Sequence, residues 1–193
     1  MRRLLIGLNL CSALLVALIV AARLIGAQSE SPYVAYFSAA DGTPCATPCL
    51  FGVQPTHLAL QPIIKLLQAH PLTASGDQGL FNEDLAVFGT DQFTVVVSQA
   101  SDPVMFVTLL APLPLGEVIG ALGTPKFGFL ERTRRGLSQT LLFAEGLLLA
   151  EVWHAQDATH STPHAPVVRL GVATRGFNQR GAGLWRGLGA LRR

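Results

Sequence analysis

The hydrophobic positions of this chain follow a helical period in two places, 55 residues apart. Each set occupies positions i, i+3, i+4 and i+7, which form one face of an α-helix. The two sets are Leu60, Ile63, Ile64 and Leu67, and Leu115, Val118, Ile119 and Leu122. A proline follows each set, at Pro71 and Pro125. The pattern predicts helices over Leu60–Ala69 and Leu115–Leu122, and Gly123 stops the second helix. The constant spacing predicts one structural unit that occurs twice.

After each predicted helix the apolar residues alternate or form short runs, a pattern typical of β-strands. The predicted strands are 79–81, 85–88, 93–98 and 104–110 after the first helix, and 126–133, 138–143, 147–155 and 167–173 after the second. The run 104–110 is apolar on both faces, which favours a central strand. We therefore expect an α+β fold, in which two tandem halves, 45–111 and 112–174, each contain a helix followed by an antiparallel meander and share one sheet.

The N-terminal segment has the pattern of a targeting or anchoring sequence. Arg2 and Arg3 precede an apolar run over residues 4–22, whose length as a helix is roughly 28 Å, close to the thickness of the bilayer core. The run predicts a transmembrane helix within a signal anchor over residues 1–27. A cleaved signal peptide, with residues 25–27 before the cleavage point, is the alternative. In both cases a linker over residues 28–44 leads to a domain outside the cytoplasm.

Two cysteines follow the linker, Cys45 and Cys49. In an oxidising compartment, two thiols four residues apart most simply form a structural disulfide. A dithiol catalyst usually has two intervening residues, and a structural zinc ion needs two further ligands. Both remain alternatives to the predicted disulfide.

The net charge of +2 conceals an uneven distribution of charged residues. Residues 29–157 contain twelve acidic and five basic residues, whereas residues 158–193 contain six arginines and no acid. The Gly- and Arg-rich tail, residues 175–193, predicts a surface that binds anions. Its candidate residues are Arg175, Arg180, Arg186, Arg192, Arg193 and Trp185. Outside the cytoplasm its partner would be lipid headgroups or an envelope polymer rather than nucleic acid. A tail that folds back onto the acidic domain and a solvated tail are the alternatives.

Candidate catalytic and metal-binding residues are few. The weak metal-ligand candidates lie in one polar segment and are His154, Asp157, His160 and His164. Their spacing fits no helical or ribbon-type zinc site, so we expect a solvated loop without a metal. The chain lacks a Gly-x-Ser-x-Gly elbow, a phosphate loop and a dinucleotide fingerprint, and we expect no cofactor.

Two stretches resemble known families. Residues 117–125, which end in Leu-Gly-Thr-Pro, resemble the repeat of β-lactamase inhibitor protein and of small outer-membrane-assembly lipoproteins of the SmpA/OmlA type. Residues 45–55 resemble the C-x-x-P-C-x-x-G opening of uncharacterised bacterial membrane-anchored extracytoplasmic proteins. The resemblance implies an interaction module and brings no catalytic residues.

These observations together predict a function class. We expect a single-pass protein of the cell membrane whose extracytoplasmic domain is a binding or envelope-scaffold module without catalytic activity. Its partner would be another envelope protein or an anionic envelope component, and the membrane itself would hold the N-terminal helix. A hydrolase or metal-dependent enzyme with a site near residues 154–164 is the alternative, and the resemblance adds an inhibitor or sensor of another protein.

Overall fold

A computed structural model describes most of the chain. The described residues are 12, 14–16, 18, 20, 33–45, 47–55, 59–82, 84–99, 103–134, 136–177, 182–185 and 187–188. The chain divides into two compact units, Met1–Pro32 and Tyr33–Arg193. The description that follows concerns the second unit.

The second unit is built on one antiparallel sheet of nine strands. Two helices accompany it, α1 (Leu60–Ala69) and α2 (Leu115–Leu122). The strands are β1 (Asp77–Asn82), β2 (Leu85–Gly89), β3 (Phe93–Ser98), β4 (Val104–Pro114), β5 (Phe127–Thr133), β6 (Gly136–Phe143), β7 (Leu148–His154), β8 (Pro166–Ala173) and β9 (Gly183–Leu184). Their order in the sheet is β1-β2-β3-β4-β8-β7-β6-β5-β9. The chain therefore forms two four-stranded meanders that meet where β4 pairs with β8.

The predicted α+β class is wrong, because strands dominate this unit. Nine strands and two short α-helices lie among the described residues of this unit. Some strands extend beyond the apolar runs that predict them: β4 continues to Pro114 rather than ending at residue 110. The tail also supplies β9, which no hydrophobic pattern predicts. Backbone pairing with a neighbouring strand, rather than side-chain polarity, decides these extensions.

The predicted transmembrane helix is likewise not found in the described part of the chain. No helix there is long and apolar enough to cross a bilayer. Of the predicted span, residues 4–22, only residues 12, 14–16, 18 and 20 are described, and they are helical. The rest of that span lies outside the described residues.

Both helices pack on the same face of the sheet. In β3, Phe93, Val95 and Val97 are buried and alternate with half-buried residues. They belong to one hydrophobic core with Ile63 of α1 and Leu115 of α2, both fully buried. The spacing that predicts the helices thus places their apolar stripes against the sheet.

The segment before α1 completes this core and contains the predicted disulfide. Cys45 and Cys49 are bonded to each other, which confirms that prediction. The chain then turns inward at Phe51, which adopts a positive φ of 52°. The Phe51 ring stacks on Phe93 of β3, with 5.1 Å between ring centroids, and lies 5.4 Å from the Tyr36 ring. The disulfide loop therefore leads directly into an aromatic cluster of the core.

Candidate functional site

The second face of the sheet is formed by the strand residues that alternate with the core residues. We call it the open face, because neither α1 nor α2 packs on it. In β4, Met105 and Val107 point into the core, whereas Phe106 and Thr108 lie on the open face. Register across the sheet arranges the open face in parallel rows of side chains.

One row is apolar and crosses all nine strands, and we call it the apolar row. Residues paired in register form it: Gly79, Val87, Val96, Phe106, Gly171, Leu149, Leu142, Phe127 and Leu184. Val96, Phe106 and Leu149 are only half-buried. Leu142 lies outside the main core and is fully buried, so the open face is covered where Leu142 lies.

A second row lies two residues along each strand and is mostly polar, and we call it the polar row. Its residues, in sheet order, are Asp77, Gly89, Thr94, Thr108, Arg169, Glu151, Thr140 and Phe129. Arg169 on β8 and Glu151 on β7 are register partners near the middle of the sheet. The only charged pair in the interior of this row therefore lies at the centre of the open face.

A hydrogen-bond network holds this central pair. The Glu151 Oε1 atom accepts hydrogen bonds from Ser138 Oγ at 2.9 Å and from Trp153 Nε1 at 3.1 Å. Its Oε2 atom lies 3.2 Å from Arg169 Nη1. The Glu151 side chain is 19% exposed and that of Arg169 47%. Both carboxylate oxygens are thus engaged, while the guanidinium group remains half in solvent.

An aromatic pair lies beside the network. The Arg169 guanidinium is 5.9 Å from the centre of the Phe106 ring, within the range of a cation–π contact. Phe177, from the start of the tail, lies 5.7 Å from the same ring. A Cβ atom at Gly171 would come within 2.8 Å of the Phe177 ring. Glycine at this position therefore leaves the space that Phe177 fills.

The tail returns to the sheet in two places. The Phe177 N–H donates to the Gly146 carbonyl at 2.7 Å. Farther along, β9 pairs with Phe127 and Gly128 of β5. Trp185 is half-buried against the core, and its backbone N–H donates to the Lys126 carbonyl at 3.2 Å. The described parts of the tail belong to the domain rather than to a free appendage.

The predicted anion-binding surface of the tail is described only in part. Arg175 is exposed just beyond β8, and Trp185 packs on the domain. The other candidates lie outside the described residues: Arg180, Arg186, Arg192 and Arg193. The anion-binding surface remains a prediction.

The four weak metal-ligand candidates do not form a cluster. His154 is buried and its Nε2 atom lies 3.1 Å from Gln139 Oε1, a hydrogen bond between side chains of β7 and β6. Asp157, His160 and His164 are exposed in the following loop, where His160 Nδ1 lies 2.8 Å from Thr159 Oγ1. Across the described chain, no three His, Cys, Asp or Glu side chains are grouped as metal ligands would be.

Two histidines in the described part of the chain are buried, and burial lowers the pKa of each. For His154, loss of hydration is the cause. For His70, loss of hydration is the largest cause, opposed by hydrogen bonds with the backbone of Ala35 and Ser38. The His70 Nδ1 atom accepts a hydrogen bond from the Leu72 N–H at 3.3 Å. Both histidines serve as hydrogen-bonded parts of the interior in their neutral form.

A shallow groove of about 170 Å³ lies between the disulfide loop and the end of α2. The residues that line it are Phe37, Pro44, Cys45, Thr47, Pro48, Cys49, Ala121 and Leu122. The groove presents polar as well as apolar surface, and none of these side chains titrates. It has the size of a crevice for one or two side chains rather than of a substrate site.

No protein-family model, curated protein or solved structure matches this chain. The resemblances to β-lactamase inhibitor protein, to SmpA/OmlA-type lipoproteins and to membrane-anchored extracytoplasmic proteins therefore stay predictions. The central network on the open face was not predicted from the sequence. Its four polar residues come from three strands, and only the alternation of Glu151 and Trp153 along β7 hints that they share a face.

Proposed function

We propose that this protein is an extracytoplasmic binding module that uses the open face of its sheet to hold another protein of the cell envelope. The observation that carries the proposal is the composition of that face. Phe106, Trp153 and Arg169 surround its centre, each partly exposed. Aromatic residues and arginine dominate the binding energy of protein interfaces, where they concentrate near the middle of the contact.

The disulfide supports a location outside the cytoplasm. Disulfides persist in oxidising compartments and are rare where thiols are kept reduced. The apolar stretch after Arg2 and Arg3 supports export, whether or not it is later cleaved. Trapping of free thiols in intact cells tests the location. Cys45 and Cys49 should be protected from a maleimide until a reductant is added, and labelling of both without reductant would contradict an oxidising compartment.

An enzyme with a site near residues 154–164 receives no specific support from the geometry. His154 faces Gln139 inside the domain, and the exposed candidates lie apart from it in the loop. Metal analysis of the purified protein checks this directly. Stoichiometric zinc would revive the enzyme hypothesis.

Site-specific photocrosslinking tests the binding proposal. A photoreactive residue would replace Thr108, which is exposed at the centre of the open face, and a matched control would replace Lys65 on the exposed side of α1. We expect position 108, but not position 65, to give one discrete adduct in intact cells. The adduct partner would then be purified, and its affinity measured for the wild type and for Thr108→Arg.

The Thr108→Arg variant places a long charged side chain in the middle of the face. Loss of about 2 kcal/mol of binding free energy is typical when a central contact is disturbed, which corresponds to roughly a thirtyfold weaker affinity. An adduct that forms equally from both positions would contradict the proposal. So would a purified partner that binds Thr108→Arg as tightly as it binds the wild type.

A further inference from the structure

We propose that Arg169 selects the partner by binding a carboxylate on its surface, so that the open face accepts a protein that presents an acidic side chain beside an apolar one. This inference rests on the proposed function and deepens it, because it names the chemistry of the partner. Three observations lead to it: the way Arg169 is held, the charge around it and the apolar residue next to it.

Arg169 is held in place before any partner arrives. Glu151 contacts one terminal nitrogen of the guanidinium group, and Phe106 lies under the group. Glu151 is itself fixed by Ser138 and Trp153. A guanidinium group carries five N–H donors in a planar fork, so a single ion pair leaves most of them for another acceptor. Little side-chain entropy remains to be lost when a partner binds, which favours affinity.

The geometry of the guanidinium group favours a carboxylate. Two parallel N–H groups match the two oxygens of a carboxylate in a bidentate pair. The headgroup layer of an anionic membrane also accepts such donors, but it would meet the whole domain. Residues 33–193 contain eleven acidic and eleven basic residues, so their net charge does not attract the domain to an extended anionic surface. A single carboxylate on a folded protein needs only the one guanidinium group.

The apolar half of the proposed contact is Leu110. It is 64% exposed, while its neighbour Leu109 is buried in the core. Leu110 lies two residues along β4 from Thr108, the register partner of Arg169, at the point where the register between β4 and β8 begins to shift. Residues i and i+2 of one strand lie roughly 7 Å apart on the same face. A partner can match this spacing with residues i and i+2 of an extended segment or i and i+4 of a helix.

A titration followed by NMR tests the inference on the full-length protein. The probe is the acetylated and amidated tripeptide Leu-Thr-Glu, and the matched control peptide is Leu-Thr-Gln. The indole N–H of Trp153 reports on the site because it donates to Glu151. The second tryptophan, Trp185, packs near β5 at the other end of the sheet and serves as the internal reference.

We expect the acidic peptide to shift the Trp153 signal with millimolar affinity and to leave that of Trp185 unchanged. The neutral peptide should bind about tenfold more weakly, as expected for loss of one charge-assisted pair. Arg169→Gln should weaken binding of the acidic peptide to the same degree. Arg169→Lys should retain part of the affinity but lose the preference for a bidentate acceptor. Lys65→Gln, on the opposite side of the domain, should change nothing.

Two results would overturn the inference. If both peptides shift Trp153 equally, the open face binds but Arg169 does not select a carboxylate, and the binding function stands without it. If the acidic peptide binds Arg169→Gln as it binds the wild type, the selecting group lies elsewhere. Failure of the binding function itself is a different observation, the absence of a specific adduct from position 108. The two proposals therefore fail separately.

Discussion

The disulfide offers a sharp test of how the core is held together. Cys45 and Cys49 close a loop of five residues, and Cys49 is only 1% exposed. The next residues, Leu50 and Phe51, are each 1% exposed within the core. We expect the bond to stabilise the folded state, because it also keeps the loop closed in the unfolded chain and so lowers the conformational entropy of that chain.

The size of the effect follows from loop closure. For a five-residue loop, the chain-entropy relation gives about 2 kcal/mol of unfolding free energy at 25 °C. For a domain of this size that corresponds to a fall in the thermal midpoint of about 4–8 °C. The disulfide ranks with the larger single contributions to stability, although its loop is short.

Thermal unfolding followed by circular dichroism measures the effect. The midpoint is compared for the oxidised protein, for the reduced protein and for Cys45→Ala/Cys49→Ala with and without reductant. Alanine avoids placing a hydroxyl group at the buried position of Cys49. The reductant should lower the midpoint of the wild type and leave the double variant unchanged. A wild-type midpoint that stays within 1 °C on reduction would refute the reasoning, because the aromatic contacts alone would then hold the loop.

Three further predictions follow from the structure. Because burial lowers the pKa of both buried histidines, the unfolded chain takes up protons at a higher pH than the folded chain does. The stability they contribute is complete above about pH 6.5 and is lost as the pH falls below it, so the thermal midpoint should drop between pH 7 and pH 5. Gly171→Val should expel Phe177 and expose the tail to limited proteolysis, whereas Gly89→Val, where a Cβ atom meets nothing within 4 Å, should leave cleavage unchanged. Leu115→Ala should cost about 2–5 kcal/mol in denaturant unfolding, and the half-buried Leu122→Ala less than half as much.

The sequence predicts the helices and most of the strands because one face of each element is apolar. The bounds of α1 and α2 match the predicted helices, and β3 matches the predicted strand. Helical period and strict alternation are local properties, so a single sequence reveals them. The position of each element along the chain was predictable in this part of the fold.

The balance between helix and sheet was not predictable in the same way. After Leu110, two prolines, Pro112 and Pro114, interrupt the strand pattern of β4, yet Leu113 and Pro114 pair with β8 beyond a register shift. The two residues of β9 carry no pattern at all and are ordered by β5. Strand pairing is a contact between distant parts of the chain, so hydrophobic period alone underestimates it.

The same reasoning explains why the centre of the open face could not be found from the sequence. Phe106 lies on β4, Arg169 on β8 and Glu151 on β7, and they meet because β4 and β7 both pair with β8. A shift of one residue in either register would move Arg169 to the core face, where an unpaired charge is costly. The register that buries Leu170 among the core residues is thus also the register that places Arg169 on the open face. Stability of the core and the position of the proposed contact residue depend on one alignment of three strands.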